Sequence, residues 1–219
     1  MIGDRIVIKE EHIKKASIIL PFITSLTKKT KKKFIKIVVG IGGESGTGKT
    51  EINTVIQRLL WEKHKLRAKQ IHLDDYYITN WQNRNKIRKE KGLSSIGICE
   101  IQWDKLNQVV KRFKSHKKKL YVQRIHMYTD SIEYVIANNR NIDILLMEGL
   151  YTLYLCKFGL IDLPIYLEGS IKDTYQFRKE RYKENPDDTF RKLVLIRESK
   201  EVRRTKKYAK VVIPWAIKE

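Results

Sequence analysis

The chain has 219 residues, 42% hydrophobic and 32% charged, with 11 Gly and 4 Pro. This is ordinary globular composition and one domain by length, which excludes collagen-like and disordered chains. Forty-six Lys and Arg against 25 Asp and Glu leave +21, a field that draws polyanions or phosphorylated ligands without choosing among RNA, lipid and nucleotide.

Residues 1 to about 33 read as an N-terminal extension: a short apolar strand over 6–8, a helix from about Glu10, and the basic run Lys28, Lys29, Lys31, Lys32, Lys33. Asp4, Arg5, Lys9, Glu10 and Glu11 interrupt any signal-like apolar run, and the longest uncharged stretch, 16–27, is broken by Pro21. It is shorter than the roughly 20 apolar residues of a membrane span, so no membrane partner is expected. From residue 34 onward a second unit begins, with apolar strands predicted over 34–41, 69–73, 142–147, 163–167 and 211–213. Between the first two, Ile52, Val55, Ile56, Leu59 and Leu60 mark a helix, and further on Leu106, Val109, Val110 and Phe113 repeat at i, i+3, i+4 and i+7 behind an Asp104 cap. Segments 120–125 and 132–136 alternate more weakly and predict a small β-lobe, while 188–209 reads as helical. Strand alternating with helix predicts an α/β fold: a parallel sheet with helices on both faces. Cys99 and Cys156 fall in no metal or redox spacing, so a thiol-reduced, cytoplasmic protein is expected.

The most specific signal is Gly43-Glu44-Ser45-Gly46-Thr47-Gly48-Lys49-Thr50, a full match to G-x-x-x-x-G-K-[ST], the P-loop or Walker A motif. Such a match arises by chance on the order of once per hundred chains of this length. It follows an apolar strand and opens a helical pattern, as the motif requires. Gly43, Gly46 and Gly48 let backbone N–H groups converge on an anion, and the helix adds its positive end. Lys49 supplies a point charge to the β- and γ-phosphates, and the Thr50 hydroxyl is a Mg²⁺ ligand. A glycine-rich turn of purely structural purpose leaves the terminal Lys-Thr unexplained. ATP and Mg²⁺ are therefore expected.

Open α/β sheets bind ligands at the carboxyl ends of their strands, and two acidic groups stand there. Asp74-Asp75-Tyr76-Tyr77 follows the second strand, and Glu148-Gly149 ends the third. Beside a phosphate site one carboxylate can hold Mg²⁺ and another can take the proton of an attacking hydroxyl; Glu148 suits the metal and Asp74 the base. Asp75 serves equally well as a loop-starting structural residue. Arg178 and Arg181, three apart on a predicted helix, can close over a triphosphate and stabilise the transferring group, or form one more solvated basic face.

In this order these elements resemble the uridine kinase family, with phosphoribulokinase and pantothenate kinase. The matching pieces are Gly43 to Thr50, Asp74-Asp75-Tyr76-Tyr77, Met147-Glu148-Gly149, Arg178 with Arg181, and the closing Lys206-Lys207-Tyr208-Ala209-Lys210-Val211-Val212-Ile213-Pro214. The resemblance runs from about 34 to 215. It implies a three-layer P-loop NTPase fold on a five-stranded parallel sheet, and ATP-dependent phosphoryl transfer to a hydroxyl of a nucleoside, uridine or cytidine. Asp74 would stand at the catalytic base, with Lys49, Arg178 and Arg181 as the cationic catalytic groups and Glu148 with Thr50 at the metal. Tyr77, Tyr121 and His126 would be substrate contacts, and the resemblance suggests a homo-oligomer.

Three departures bear on the substrate. Where uridine kinases carry Phe-Asp-His-Pro, this chain reads Gly97-Ile98-Cys99-Glu100-Ile101-Gln102-Trp103-Asp104, so Glu100, Trp103 and Asp104 could line a pocket for another alcohol. Beyond Arg181 the further lid arginines are missing, and Lys210 replaces an aspartate. A nucleic-acid-binding P-loop ATPase competes on the strength of +21 and the basic clusters at 28–33, 111–119 and 203–207. No run of exposed aromatic residues interleaves with those clusters as stacking platforms, which argues against nucleic acid as partner. A regulatory nucleotide-binding protein without an acceptor site is the third alternative.

Overall fold

A computed structural model describes residues 2–3, 5–30, 36–180 and 187–217. The elements in order are α1 (Glu10–Thr30), β1 (Ile37–Gly43), α2 (Lys49–His64), β2 (Ala68–His72), α3 (Trp81–Lys91), α4 (Trp103–Lys114), β3 (Lys119–Ile125), β4 (Ile132–Asn138), β5 (Ile144–Glu148), β6 (Leu163–Leu167), α5 (Tyr175–Glu180), α6 (Thr189–Thr205) and β7 (Val211–Ile213), with short 3₁₀ turns between.

Five strands pair in the order β2-β5-β1-β6-β7, all parallel, and β3 with β4 form a separate antiparallel ribbon, the expected β-lobe. Period-2 alternation assigns each strand's residues to two cores. Val38, Leu145 and Met147 face a cluster with Leu106, Val110 and Phe113 of α4 and Val202 of α6. Ile37, Val39, Ile41, Ile144 and Leu146 face Ile52, Val55, Ile56 and Leu60 of α2. Ala16, Ile19, Leu20 and Ile23 of α1 belong to that second cluster and are buried. The N-terminal helix is thus a layer of the core, and Pro21 sits inside it.

The predicted strands 163–167 and 211–213 coincide with β6 and β7. β1 runs past its expected end at residue 41 because Gly42 and Gly43 still pair with Tyr166 and Leu167; a ladder needs backbone, not side chains. Residues 34 and 35, its expected start, lie outside the described residues, as do Lys31 to Lys33. The strand expected over 6–8 does not form. Ile2 takes the pairing instead, bridging His126 at the end of the ribbon, and Ile6, Val7 and Ile8 are exposed. Asp104 is not the cap of α4: Gln102 holds that position, its N–H donating to the Tyr76 carbonyl, and the helix starts two residues earlier than expected. The helix expected over 188–209 ends at Thr205 and tightens into a 3₁₀ turn over Lys206–Tyr208. Among the described residues no helix is long and apolar enough to cross a membrane.

Candidate active site

The loop between β1 and α2 is a cradle because its glycines adopt backbone angles that a side chain would strain. Gly46 has φ 84° and Gly48 φ 78°, both left-handed, where only glycine sits without cost. Gly48 caps α2, so that Lys49 and Thr50 open the helix and the helix dipole points into the loop. Lys49 Nζ donates to the Glu44 carbonyl at 2.7 Å across the loop. Glu44 itself turns away: its buried carboxylate accepts from Ser199 Oγ and Arg203 Nε of α6, each at 2.9 Å. The loop is therefore pinned from behind by a helix distant in sequence.

Glu148 ends β5 directly beside this loop, since Ile41 of β1 and His72 of β2 are both its register partners. Its Oε1 accepts from Thr50 Oγ1 at 3.0 Å and contacts His72 Nδ1 at 2.7 Å. Burial alone would raise the pKa of this carboxyl, but the His72 hydrogen bond and charge, with Lys49 nearby, hold it at about 2. Glu148 is thus an ionised carboxylate against the hydroxyl of the P-loop threonine, a donor set suited to a hard divalent cation that takes its remaining ligands from phosphate and water.

After β2 the chain turns in a 3₁₀ segment, Leu73–Tyr76, which divides the two aspartates. Asp75 is fully buried, accepts from the Ile125 N–H at 3.0 Å and pairs with Arg124 at 3.1 Å; burial pushes its pKa up. It ties the ribbon to the sheet. Asp74, half-buried, makes no hydrogen bond or ion pair among the described residues, and is the reachable carboxylate of the two. Tyr77 is buried, with the Arg84 guanidinium 3.5 Å from its ring centroid, and burial drives its phenol pKa far upward.

Arg178 lies on α5 against the P-loop, its Cγ within 3.1 Å of where a Gly46 Cβ would stand. Its guanidinium is held by Thr174 Oγ1 and by the Ile171 carbonyl at 2.8 Å. Arg181 lies outside the described residues. Tyr121 and His126 have partners of their own. Tyr121 faces outward under Arg112, 4.9 Å from guanidinium to ring centroid, and His126 pairs with Glu133 at 3.6 Å. On this ribbon it is Gln123, donating to the Asp75 carbonyl at 2.6 Å, and Ile125 that reach the acidic turn. Residues 97–104, expected to line an acceptor pocket, are engaged in packing and ion pairs. Glu100 is committed to Arg88 through two bonds of 2.7 and 2.8 Å. Trp103 packs on Tyr154 at 4.9 Å and donates to the Ile98 carbonyl, and Asp104 is exposed.

A cavity of about 430 Å³ opens next to Gly46 and Thr47, walled by Glu11, His12 and Lys15 of α1, Phe177 of α5, and Trp215 beyond β7. His12 stands so close to the loop that a Cβ on Gly48 would meet its ring at 2.7 Å. Lys15 is buried with its ammonium 4.6 Å from the Trp215 ring centroid, and burial lowers its pKa. His72, Ser199, Arg203, His12 and Arg84 were not anticipated from the sequence. Only His72 carried a signal, as the residue immediately before the acidic turn, and its meaning depends on knowing that β2 and β5 are neighbours.

A P-loop helix, a strand-tip carboxylate bonded to its threonine, and a free aspartate after the neighbouring strand stand together, and the phosphoribulokinase / uridine kinase family model matches residues 38–214. The chain belongs to that family. Among solved structures the fold is similar to a possible uridine kinase from Bacillus stearothermophilus, with TM-score 0.60, 16% identity, and 91% of this chain and 97% of that one covered. It is also similar to D-glycerate 3-kinase from Cryptococcus neoformans, with TM-score 0.62, 13% identity, and 91% and 95% covered. Phosphoribulokinase from Rhodobacter spheroides gives TM-score 0.62 at 12% identity, covering 83% of this chain and 71% of that one. These three share this chain's fold and are named for different acceptors. No curated protein matches the chain.

Proposed function

We propose that the protein is an ATP-dependent, Mg²⁺-requiring kinase that transfers the γ-phosphoryl group to a hydroxyl of a small molecule. The observation that carries this reading is the pairing of an ionised Glu148 on Thr50 with an unbonded Asp74 one strand away. The P-loop amides and Lys49 bind the phosphates, and the cavity beside Gly46 takes the nucleoside end of ATP. Thr50 and Glu148 would hold Mg²⁺, which would supply positive charge to the phosphates when bound. Asp74 takes the proton of the acceptor hydroxyl as its oxygen bonds to the γ-phosphorus and the bond to the β-phosphate breaks, releasing ADP. Arg178 stands where it can meet charge on the transferring group.

Uridine or cytidine is the acceptor if the family's best-matching motifs carry the substrate with them. A non-nucleoside alcohol is favoured by two observations: residues 97–104 are consumed by packing and ion pairs, and Tyr121 and His126 are engaged with Arg112 and Glu133. The test is incubation with Mg·ATP and pooled nucleosides, pantothenate, sugar phosphates and other alcohols, read by mass spectrometry, with Lys49→Ala as control. A metabolite gaining one phosphate only with the intact chain supports the kinase reading. ATP binding with no product from any acceptor would sink it.

A further inference from the structure

Two arginines one turn apart on α3 are both buried, and only one of them is neutralised. Arg88 meets Glu100 at 2.7 Å and Glu198 at 3.0 Å. Arg84 is 8% exposed, and among the described residues it has neither an ion pair nor a hydrogen bond; its Nε is enclosed and bonded to nothing. What it has is aromatic: its guanidinium lies 3.5 Å from the Tyr77 ring centroid and 5.5 Å from that of Trp81. Cation–π attraction offsets part of the cost of burying a charge but leaves five donors without an anion. Buried guanidinium groups are ordinarily paired, because desolvation without a counter-charge is expensive. Both the Arg84 and Asp74 charges act on the Tyr77 phenol, yet the two do not pair with each other.

We infer that Arg84 is the binding residue for an oxyanion on the acceptor, so that the substrate is an alcohol carrying a carboxylate or a phosphate. This rests on the kinase reading above and names its substrate class. In this assignment Arg84, stacked on the Tyr77 ring, holds the anionic end, and Asp74 receives the hydroxyl. A planar guanidinium already stacked on a ring is preorganised for two parallel bonds to such a group. An uncharged nucleoside would leave it unpaired.

Binding to the full chain is measured by calorimetry for matched pairs, glycerate against glycerol and ribulose 5-phosphate against ribulose, with and without Mg·ADP. The same pairs are then tested as acceptors with Mg·ATP. A charged member binding at least tenfold more tightly than its uncharged partner is expected, glycerate and ribulose 5-phosphate distinguishing carboxylate from phosphate. That preference should collapse in Arg84→Gln while ATP affinity is kept. Arg84→Met keeps the stem and the stacking, and should melt no lower than the parent because it removes an uncompensated buried charge. Equal binding of both members, no binding of any, a preference that survives Arg84→Gln, or a lower melting temperature of Arg84→Met would overturn the inference. Failure of the kinase reading looks different: the charged preference stays in binding and no acceptor gains a phosphate.

Discussion

The phosphate end of the site and the acceptor end are built on opposite plans. Around the P-loop three charged groups already have polar partners: Lys49 on the Glu44 carbonyl, Glu44 on Ser199 and Arg203, Glu148 on Thr50 and His72. On the acceptor side, Arg84 lies on the Tyr77 ring and Asp74 stands three residues before it in the chain, and neither side chain is hydrogen-bonded or ion-paired among the described residues. A site for a constant ligand can be fixed in advance, and rigidity there lowers the entropy lost on binding. Where the ligand completes the charge balance, the free groups describe it by what they lack.

The comparison can be broken most sharply at Lys49. Lys49→Ala should lower phosphoryl transfer by at least about 10²-fold and also weaken ATP binding, seen in steady-state rates and in ATP titration. Asp74→Asn should lower kcat by about 10²- to 10⁴-fold with ATP affinity unchanged in calorimetry; equal loss of both would place Asp74 in the donor half and erase the contrast.

Glu148 offers a pH test of the preformed half. Its folded pKa of about 2 lies below the ordinary 4.5, so the folded state binds fewer protons than the unfolded one between those values. Its stabilisation is therefore fully present above about pH 4.5 and is lost as pH falls toward 2. Acid melting curves of the parent should show this loss, and those of Glu148→Gln should not. The smallest effect is expected at Ser199→Ala, which removes one of two bonds to Glu44. It should cost about 1 kcal/mol and raise the KM for ATP a few-fold, measured by thermal melting and initial rates.

Legibility in the sequence follows the same division. The P-loop, Thr50 and Glu148 could be found because local order dictates them: an apolar strand, a glycine turn, a helix start, a strand tip. The split between Asp74 and Asp75 could not, since a 3₁₀ turn buries one and leaves the other reachable, and only the Ile125 N–H and Arg124 explain the difference. Tyr121 and His126 are implied by the resemblance alone, and the contacts of Tyr121 with Arg112 and of His126 with Glu133 depend on strand pairing that spacing does not reveal. Arg84 sits in a helix whose other residues are polar apart from Trp81 and Ile87; its burial comes with the Tyr77 and Trp81 rings beside it.

The position of α1 bears on how the chain acquires its shape. β1 pairs only with β5 and β6, and β5 begins at Ile144, so the central strand waits on the order of a hundred residues for its first partner during synthesis. Over that interval the two apolar faces of β1 would stand open to aggregation. α1 and α2 flank β1 in sequence and pack on the same face of it, which gives the emerging strand a local shelter before any sheet exists. A chain lacking residues 1–30 should therefore lose yield of soluble protein on synthesis out of proportion to any change in its catalytic rate.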